Sequence, residues 1–252
     1  MKTRFFFFVG LICLLGAVFF YTWQDATAGE LVRVGVYDNK PKIYRDTDGT
    51  IKGFWANIIN EIAIRENWDL EYVYGSWDEG LQRLKNNEID IMVDVALSED
   101  REQEYDFTTE TALVNWGILY TRPDLEIESI NDLEGKNIAV MKSGIHYIGP
   151  WGIKNMLESF QIKANYTDVS DYDDVFELLD AGKADAGVVN RIFGIANEAD
   201  YNVVKTNIVF NPIELRFALT KNAPANSYLQ PGIDNNLQDL KSDQDSVYYK
   251  SL

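Results

Sequence analysis

From Leu31 to Phe210 the spacing of apolar residues switches back and forth between every second position and every third or fourth. This alternation constrains the fold more than any single motif. Leu31–Tyr37 (LVRVGVY) is rich in β-branched residues and reads as a strand. Asp46-Thr47-Asp48-Gly49 reads as a turn. Across Gly53–Asn67, Phe54, Ile58 and Ile62 fall four apart with Trp55, Ile59 and Ala63 beside them, which predicts a helix with a wide apolar stripe. Leu70–Tyr74 predicts a second strand. Ser76-Trp77-Asp78-Glu79 predicts a capping box, because Ser76 can accept from the Glu79 amide while Glu79 reaches back. The helix it opens carries Leu81 and Leu84. Ile89–Val95 then alternates, with Ile89, Ile91, Val93 and Val95 on one face and Asp90, Met92 and Asp94 on the other.

The second half repeats the scheme. Asn137–Lys142 predicts a strand and Ser143-Gly144 a turn. Ile153, Met156, Leu157 and Phe160 mark a helix, and Ile162–Val169 a strand. Ser170 is placed to cap a helix carrying Val175, Leu178 and Leu179, which Gly182 ends. Ala184–Val189 and Val203–Phe210 predict further strands. Strand–helix–strand units imply parallel sheets with helices on both faces, an α/β fold. Trp77-Asp78-Glu79-Gly80-Leu81 leads to Ile89-Asp90 at the same separation as Tyr172-Asp173-Asp174-Val175-Phe176 leads to Ala184-Asp185. That internal echo suggests two similar lobes.

The N-terminus reads as an address. Lys2 and Arg4 precede the apolar run Phe5–Phe20, and Ala26-Thr27-Ala28 is an A-x-A cleavage pattern. Residues 1–28 therefore read as a secretory signal peptide, with an uncleaved membrane anchor as the competing reading. Either places residues 29–252 outside the cytoplasm. Cleavage also removes Cys13, so the exported part has no cysteine and must be stable without disulfides. With 46% hydrophobic residues it can build a core of domain size.

Charge and composition narrow the chemistry. Lys plus Arg total 23 against 40 for Asp plus Glu, giving a formal charge of −17. Such a chain repels phosphate backbones, so no nucleic-acid partner is expected. One His and one Cys argue against a zinc site, and no GxGxxG turn marks a dinucleotide, so no metal or cofactor is expected. In parallel sheets ligands bind beyond the carboxyl ends of strands. Tyr37, Asp38 and Asn39 follow the first strand, Asp94 lies near the end of another with Ser98 and Arg101 after it, Ser143 and Gly144 follow a third, and Asn190 a fourth. Trp77 opens the helix that feeds the Asp94 strand. One Arg, one aromatic wall and several hydrogen-bonding groups suit a small polar solute, and Arg is the natural bidentate holder of a carboxylate.

The stretch SWDEGLQRLKNNEIDIMVDVALSEDREQEYDFT resembles the extracytoplasmic solute-binding proteins of family 3, the amino-acid-binding type. Their hallmark is W/F-x(n)-L-x-x-G-x-x-D, a strand, then S-x-x-R-x(4)-D/A-F-[ST]. The resemblance continues through LEGKNIAVMKSG and LLDAGKADAGVVN and covers nearly all of 31–250. GVYDNKPKIY, YGSWDEGL, VVNRIFG and SVYYKSL bring it nearest to the sensor modules of receptor kinases and cyclases. It implies a two-lobe periplasmic-binding-protein type II fold with two hinge strands, lobe 1 at 30–118 and 215–252, lobe 2 at 123–210. It further implies that Arg101 grips a ligand carboxylate and that Trp77 stacks on the ligand. Ser143, Gly144 and Ile145 would support the carboxylate, and Asn190 would occupy the position, usually Asp, that holds an α-ammonium. Tyr37 and Asp94 complete the implied site. Asn190 is neutral, Ala96 and Ile145 replace small hydroxyl positions, and Asp94 stands where some members have Ser. The ligand is therefore open between an α-amino acid and another carboxylate or small polar solute.

Structural roles compete at each position. Arg101 lies among Glu99, Asp100, Glu102 and Glu104 and would otherwise be a surface ion-pair residue. Trp77 would otherwise be a core aromatic, Asp94 a solvated strand residue, and Asn190 the cap of the following helix. Asp90 and Asp185 read as structural, His146 as incidental, and Trp116 and Tyr120 as packing near a first crossing at Trp116–Arg122. The expected protein is a monomeric binding protein, not an enzyme, whose lobes close on a solute. It would deliver that solute to a membrane permease or report it to a receptor kinase. A dehydratase or cell-wall lyase on the same scaffold is the remaining alternative, with Asp94 as its one evident acid.

Overall fold

The computed structural model describes residues 29–252. The export segment read at residues 1–28 lies outside the described residues. In chain order the elements are β1 (Glu30–Val36), β2 (Tyr44–Arg45), β3 (Ile51–Lys52), α1 (Phe54–Glu66), β4 (Trp68–Tyr74), α2 (Trp77–Lys85), β5 (Ile91–Ala96), α3 (Glu99–Glu104), β6 (Tyr105–Phe107) and β7 (Leu113–Thr121). They continue with β8 (Asn137–Met141), α4 (Ile145–Ile148), α5 (Ile153–Ser159), β9 (Asn165–Val169), α6 (Tyr172–Asp180), β10 (Ala186–Asn190), α7 (Arg191–Asn197), β11 (Val204–Thr220), α8 (Asn226–Ser242) and α9 (Val247–Lys250).

A nine-stranded sheet runs through the molecule in the order β4-β1-β5-β11-β7-β10-β8-β9, with β6 pairing β11 off this path. At one end β1 pairs in parallel with β4 and β5. At the other, β8 pairs in parallel with β9 and β10. Between these blocks β7 and β11 run antiparallel to each other. Leu215 of β11 lies opposite Ala96, and Asn190 of β10 opposite Gly117 of β7, so both strands bridge the two blocks. The parallel units expected from strand–helix alternation are present, and two long strands join them.

The local rules hold where packing supports them. Phe54, Trp55, Ile58, Ile59, Ile62 and Ala63 of α1 are all buried, and the Trp55 ring meets Phe217 of β11 edge-on at 4.9 Å. The box at the start of α2 forms: Ser76 Oγ accepts from the Glu79 amide at 3.4 Å, and Glu79 Oε2 accepts from the Ser76 amide at 2.8 Å. In the other block Phe176 of α6 packs on Tyr120 of β7 at 4.9 Å.

Three local expectations are corrected. Ile89–Val95 does not divide into a buried and a polar face. Every residue of β5 is buried, because it is an interior strand of the sheet with β1 on one edge and β11 on the other. Val203–Phe210 is only the first part of a 17-residue strand, which continues through Asn211-Pro212 by breaking register with β7 between Phe210 and Ile213. The N-cap of α6 is Asp171 and not Ser170.

Gly53 fixes how the segment after β1 lies against α1. Its φ of 109° and ψ of 178° belong to a region open only to glycine. A Cβ there would stand 2.5 Å from the Pro41 carbonyl oxygen and 2.6 Å from that of Lys42. The same approach lets the Trp55 amide donate to the Lys42 carbonyl at 2.9 Å. Gly53→Ala is expected to destabilise the fold by about 1–3 kcal/mol in urea denaturation from the backbone strain alone. A wild-type midpoint would show that Gly53 does not pin this segment.

Candidate functional site

Between the two parallel blocks lies a small, partly open cavity of about 20 Å³. Tyr37, Trp77, Asp94 and Arg101 line it from one side and Asn190 from the other, so the fold brings five of the seven expected residues together. Asn39, Lys42, Asn115, His146 and Tyr172 share the wall.

Asp94 is the buried centre. Residues Arg216 and Ala218 of β11 break register opposite β5, and Asp94 takes a left-handed φ of 64° within that bulge. Its Oδ2 accepts from Lys42 Nζ at 2.5 Å, Tyr37 Oη at 2.7 Å and Asn39 Nδ2 at 3.0 Å. Its Oδ1 is buried with no partner. The Lys42 and Asp94 side chains are 4% and 0% exposed, so this pair is shielded from solvent and salt. Burial pulls the Lys42 ammonium down, and the Asp94 carboxylate opposes that pull. Burial, then the Asp94 charge, pushes the Tyr37 phenol well up, so it remains a donor.

Arg101 is half-buried in the first turn of α3, after the Ser98 cap. One guanidinium nitrogen donates to the Ala96 carbonyl at 3.2 Å, the other to the Ser143 carbonyl across the cleft at 3.1 Å. The group lies 5.5 Å from the Trp77 ring, and burial lowers its pKa. The nearby acids Glu99, Asp100, Glu102 and Glu104 are not its partners, and no carboxylate among the described residues pairs with it. Trp77 is buried, sits 4.9 Å from the Tyr37 ring, and leaves its indole Nε1 without a partner.

Asn190 acts as a cap and a bridge. Its Oδ1 accepts from the Phe193 amide at 3.0 Å and from Asn115 Nδ2 at 2.9 Å, and its Nδ2 donates to Asn39 Oδ1 at 3.2 Å. Ser143 and Gly144 stand behind the wall: Ser143 supplies its carbonyl to Arg101, and the Gly144 amide is already bonded to the Met141 carbonyl at 3.0 Å. His146 is buried and lines the cavity, where burial and then the Lys42 and Arg101 charges hold its pKa at about 3, so it is neutral. Asp90 takes the Arg33 guanidinium at 2.7 Å and Asp185 accepts the Asn137 amide at 2.9 Å, both structural contacts at strand ends.

Lys42 is illegible in sequence. It lies in a short loop, DNKPK, with no hydrophobic periodicity, and its place depends on the turn closed by the Asn39 carbonyl and on the close approach of its backbone to Gly53. Asn115 sits in a hinge strand whose apolar neighbours mask it. Tyr172 is visible only as the aromatic of the internal echo.

The model of the bacterial extracellular solute-binding proteins, family 3, matches residues 32–245. This chain belongs to that family. A "probable histidine-binding protein" of Campylobacter jejuni is 26% identical over 133 residues, which are 52% of this chain and 52% of the relative. The chain thus spans about half the length of the curated relatives it matches. An ancestral arginine-binding protein bound to arginine superposes with a TM-score of 0.78 at 21% identity, covering 89% of this chain and 99% of that one. A histidine kinase sensor domain similar to periplasmic binding proteins gives a TM-score of 0.75 at 21% identity, covering 89% and 97%. These likenesses show the two-lobe α/β fold.

Several carboxylates cluster around Asp171. Burial raises Asp171 to about 6, helped by the charges of Asp174, Asp38, Asp173 and Asp78. A carboxyl raised in the folded state binds its proton more tightly there than in the unfolded chain. It therefore penalises folding above about pH 6, and the penalty fades as pH falls toward 4. Asn caps a helix as well as Asp does. Asp171→Asn is expected to raise the melting temperature at about pH 7.5 and to leave it unchanged near pH 4, read as the difference from wild type at each pH. An equal shift at both would remove Asp171 as the titrating group.

Proposed function

We propose that this chain binds a small carboxylate-bearing solute outside the cytoplasm by closing its lobes over it, with Arg101 as the carboxylate anchor. The observation that carries the reading is a cleft guanidinium that has only two carbonyls as partners. A carbonyl supplies a partial charge where a carboxylate supplies a full one and accepts two parallel N–H bonds. Arg101 thus gains more from a ligand than from its present partners. Trp77 and Tyr37 supply the aromatic wall. Asn190–Asn39, Arg101–Ser143 and Asn197–Lys40 already span the lobes, so a ligand held by both sides adds to contacts that favour closure.

The moving bodies in this reading are residues 30–118 with 215–252, and residues 123–210. Residues 1–28 export the chain as a signal or anchor. Ligand delivery to a permease fits the named binding proteins among its relatives, and the kinase sensor fold supports reporting to a membrane receptor as a second reading. Catalysis by Asp94 is disfavoured, because three donors already hold one of its oxygens and an ammonium neutralises it.

A thermal-shift screen of amino acids and small carboxylates identifies the ligand class, since binding raises apparent stability. Arg101→Ala should then weaken binding of any hit by several kcal/mol, measured calorimetrically, while leaving the melting temperature without ligand nearly unchanged. Wild-type affinity in the variant would end the anchor model.

A further inference from the structure

The charges in the cavity do not suit an α-amino acid. Lys42 and Arg101 are cationic, Asp94 is the one anion on the wall, and His146 is neutral. The site's own side chains therefore sum to one net positive charge. A carboxylate cancels it, whereas a zwitterion leaves it standing in a poorly solvated place. The hydrogen-bond inventory agrees. An ammonium needs three acceptors, a hydroxyl one. Asn190, the cavity residue at the end of β10, has spent its Oδ1 on two donors. The Ala96 and Ser143 carbonyls serve Arg101. Two buried polar atoms on cavity residues remain unpartnered: Asp94 Oδ1, an acceptor, and Trp77 Nε1, a donor. The Asp94 charge that would have met an ammonium is already occupied by Lys42 Nζ. In effect the protein has its own ammonium in that place.

From this we infer that the ligand is a small 2-hydroxy acid. Its carboxylate meets Arg101 and the Trp77 N–H, and its hydroxyl donates to Asp94 Oδ1. The inference rests on the carboxylate reading above and narrows it. Neither group reacts, so no bond is made or broken.

The test uses matched pairs that differ only in hydroxyl against ammonium: glycolate and glycine, L-lactate and L-alanine, L-2-hydroxyisocaproate and L-leucine. Each is titrated calorimetrically into the exported chain, wild type and Lys42→Met. The wild type should bind the hydroxy member of at least one pair at least tenfold more tightly than the amino member. Lys42→Met frees the Asp94 carboxylate, so the ratio for that pair should shift toward the amino acid by at least tenfold. If Lys42→Met does not fold, the wild-type ratios decide alone. A wild type that prefers the amino member, or a folded Lys42→Met with an unchanged ratio, overturns the inference while Arg101-dependent binding keeps the carboxylate reading. Binding of no member of any pair overturns the inference. If no carboxylate in the wider screen binds in an Arg101-dependent way either, the carboxylate reading falls with it.

Discussion

A carboxylate at zero side-chain exposure must be neutralised by the protein itself, and Asp94 is held that way by Lys42, Tyr37 and Asn39. Much of the cleft derives from this requirement. The bulge in β5 gives Asp94 its left-handed backbone, and β11 must break register to accommodate it. The loop after β1 must lie close on α1 to bring Lys42 inward, which only Gly53 permits. Tyr37 must remain protonated to donate, and its burial ensures that. Removing one partner of such a pair typically costs about 3–5 kcal/mol, because the other charge is left stranded. The pair is thus weak evidence of added stability and strong evidence that the surrounding geometry is fixed.

Arg101 is the opposite case. It stands at the same cavity without a carboxylate, bonded only to carbonyls from each side of the cleft. The protein neutralises one cation internally and leaves the other partly satisfied. That asymmetry is the basis of the proposed anionic ligand, although the chain as a whole is strongly acidic. In the proposed reading the long-range field of the surface opposes the ligand and the local field of Arg101 attracts it. Discrimination must come from contacts within the closed cleft.

Period and cap chemistry make the elements legible in sequence. The α1 stripe and the Ser76–Glu79 box depend on neighbours a few residues away, and both form as read. Strict alternation puts Asp94 on a solvated face, because a period of two cannot foresee a bulge. Lys42 escapes notice because its partner Asp94 lies 52 positions away and its loop packs against a glycine eleven positions further along the chain, neither of which a local pattern announces. Tyr37, Trp77 and Asn190 are legible because each stands at a strand end or a helix start, where a parallel sheet presents its side chains to a ligand. Ser143 and Gly144 stand at such a position too, yet their backbone groups are spent on Arg101 and on the turn. Topology thus locates the cleft, while the charge balance inside it emerges only from three-dimensional contacts.

A crystal structure of the chain with a ligand from the screen tests the central claim most directly. The expected result is an anionic group seated on the Arg101 guanidinium, between the two lobes, with Lys42 still paired to Asp94. A ligand lodged elsewhere, or an Arg101 side chain turned out to solvent with the cleft occupied, would contradict it.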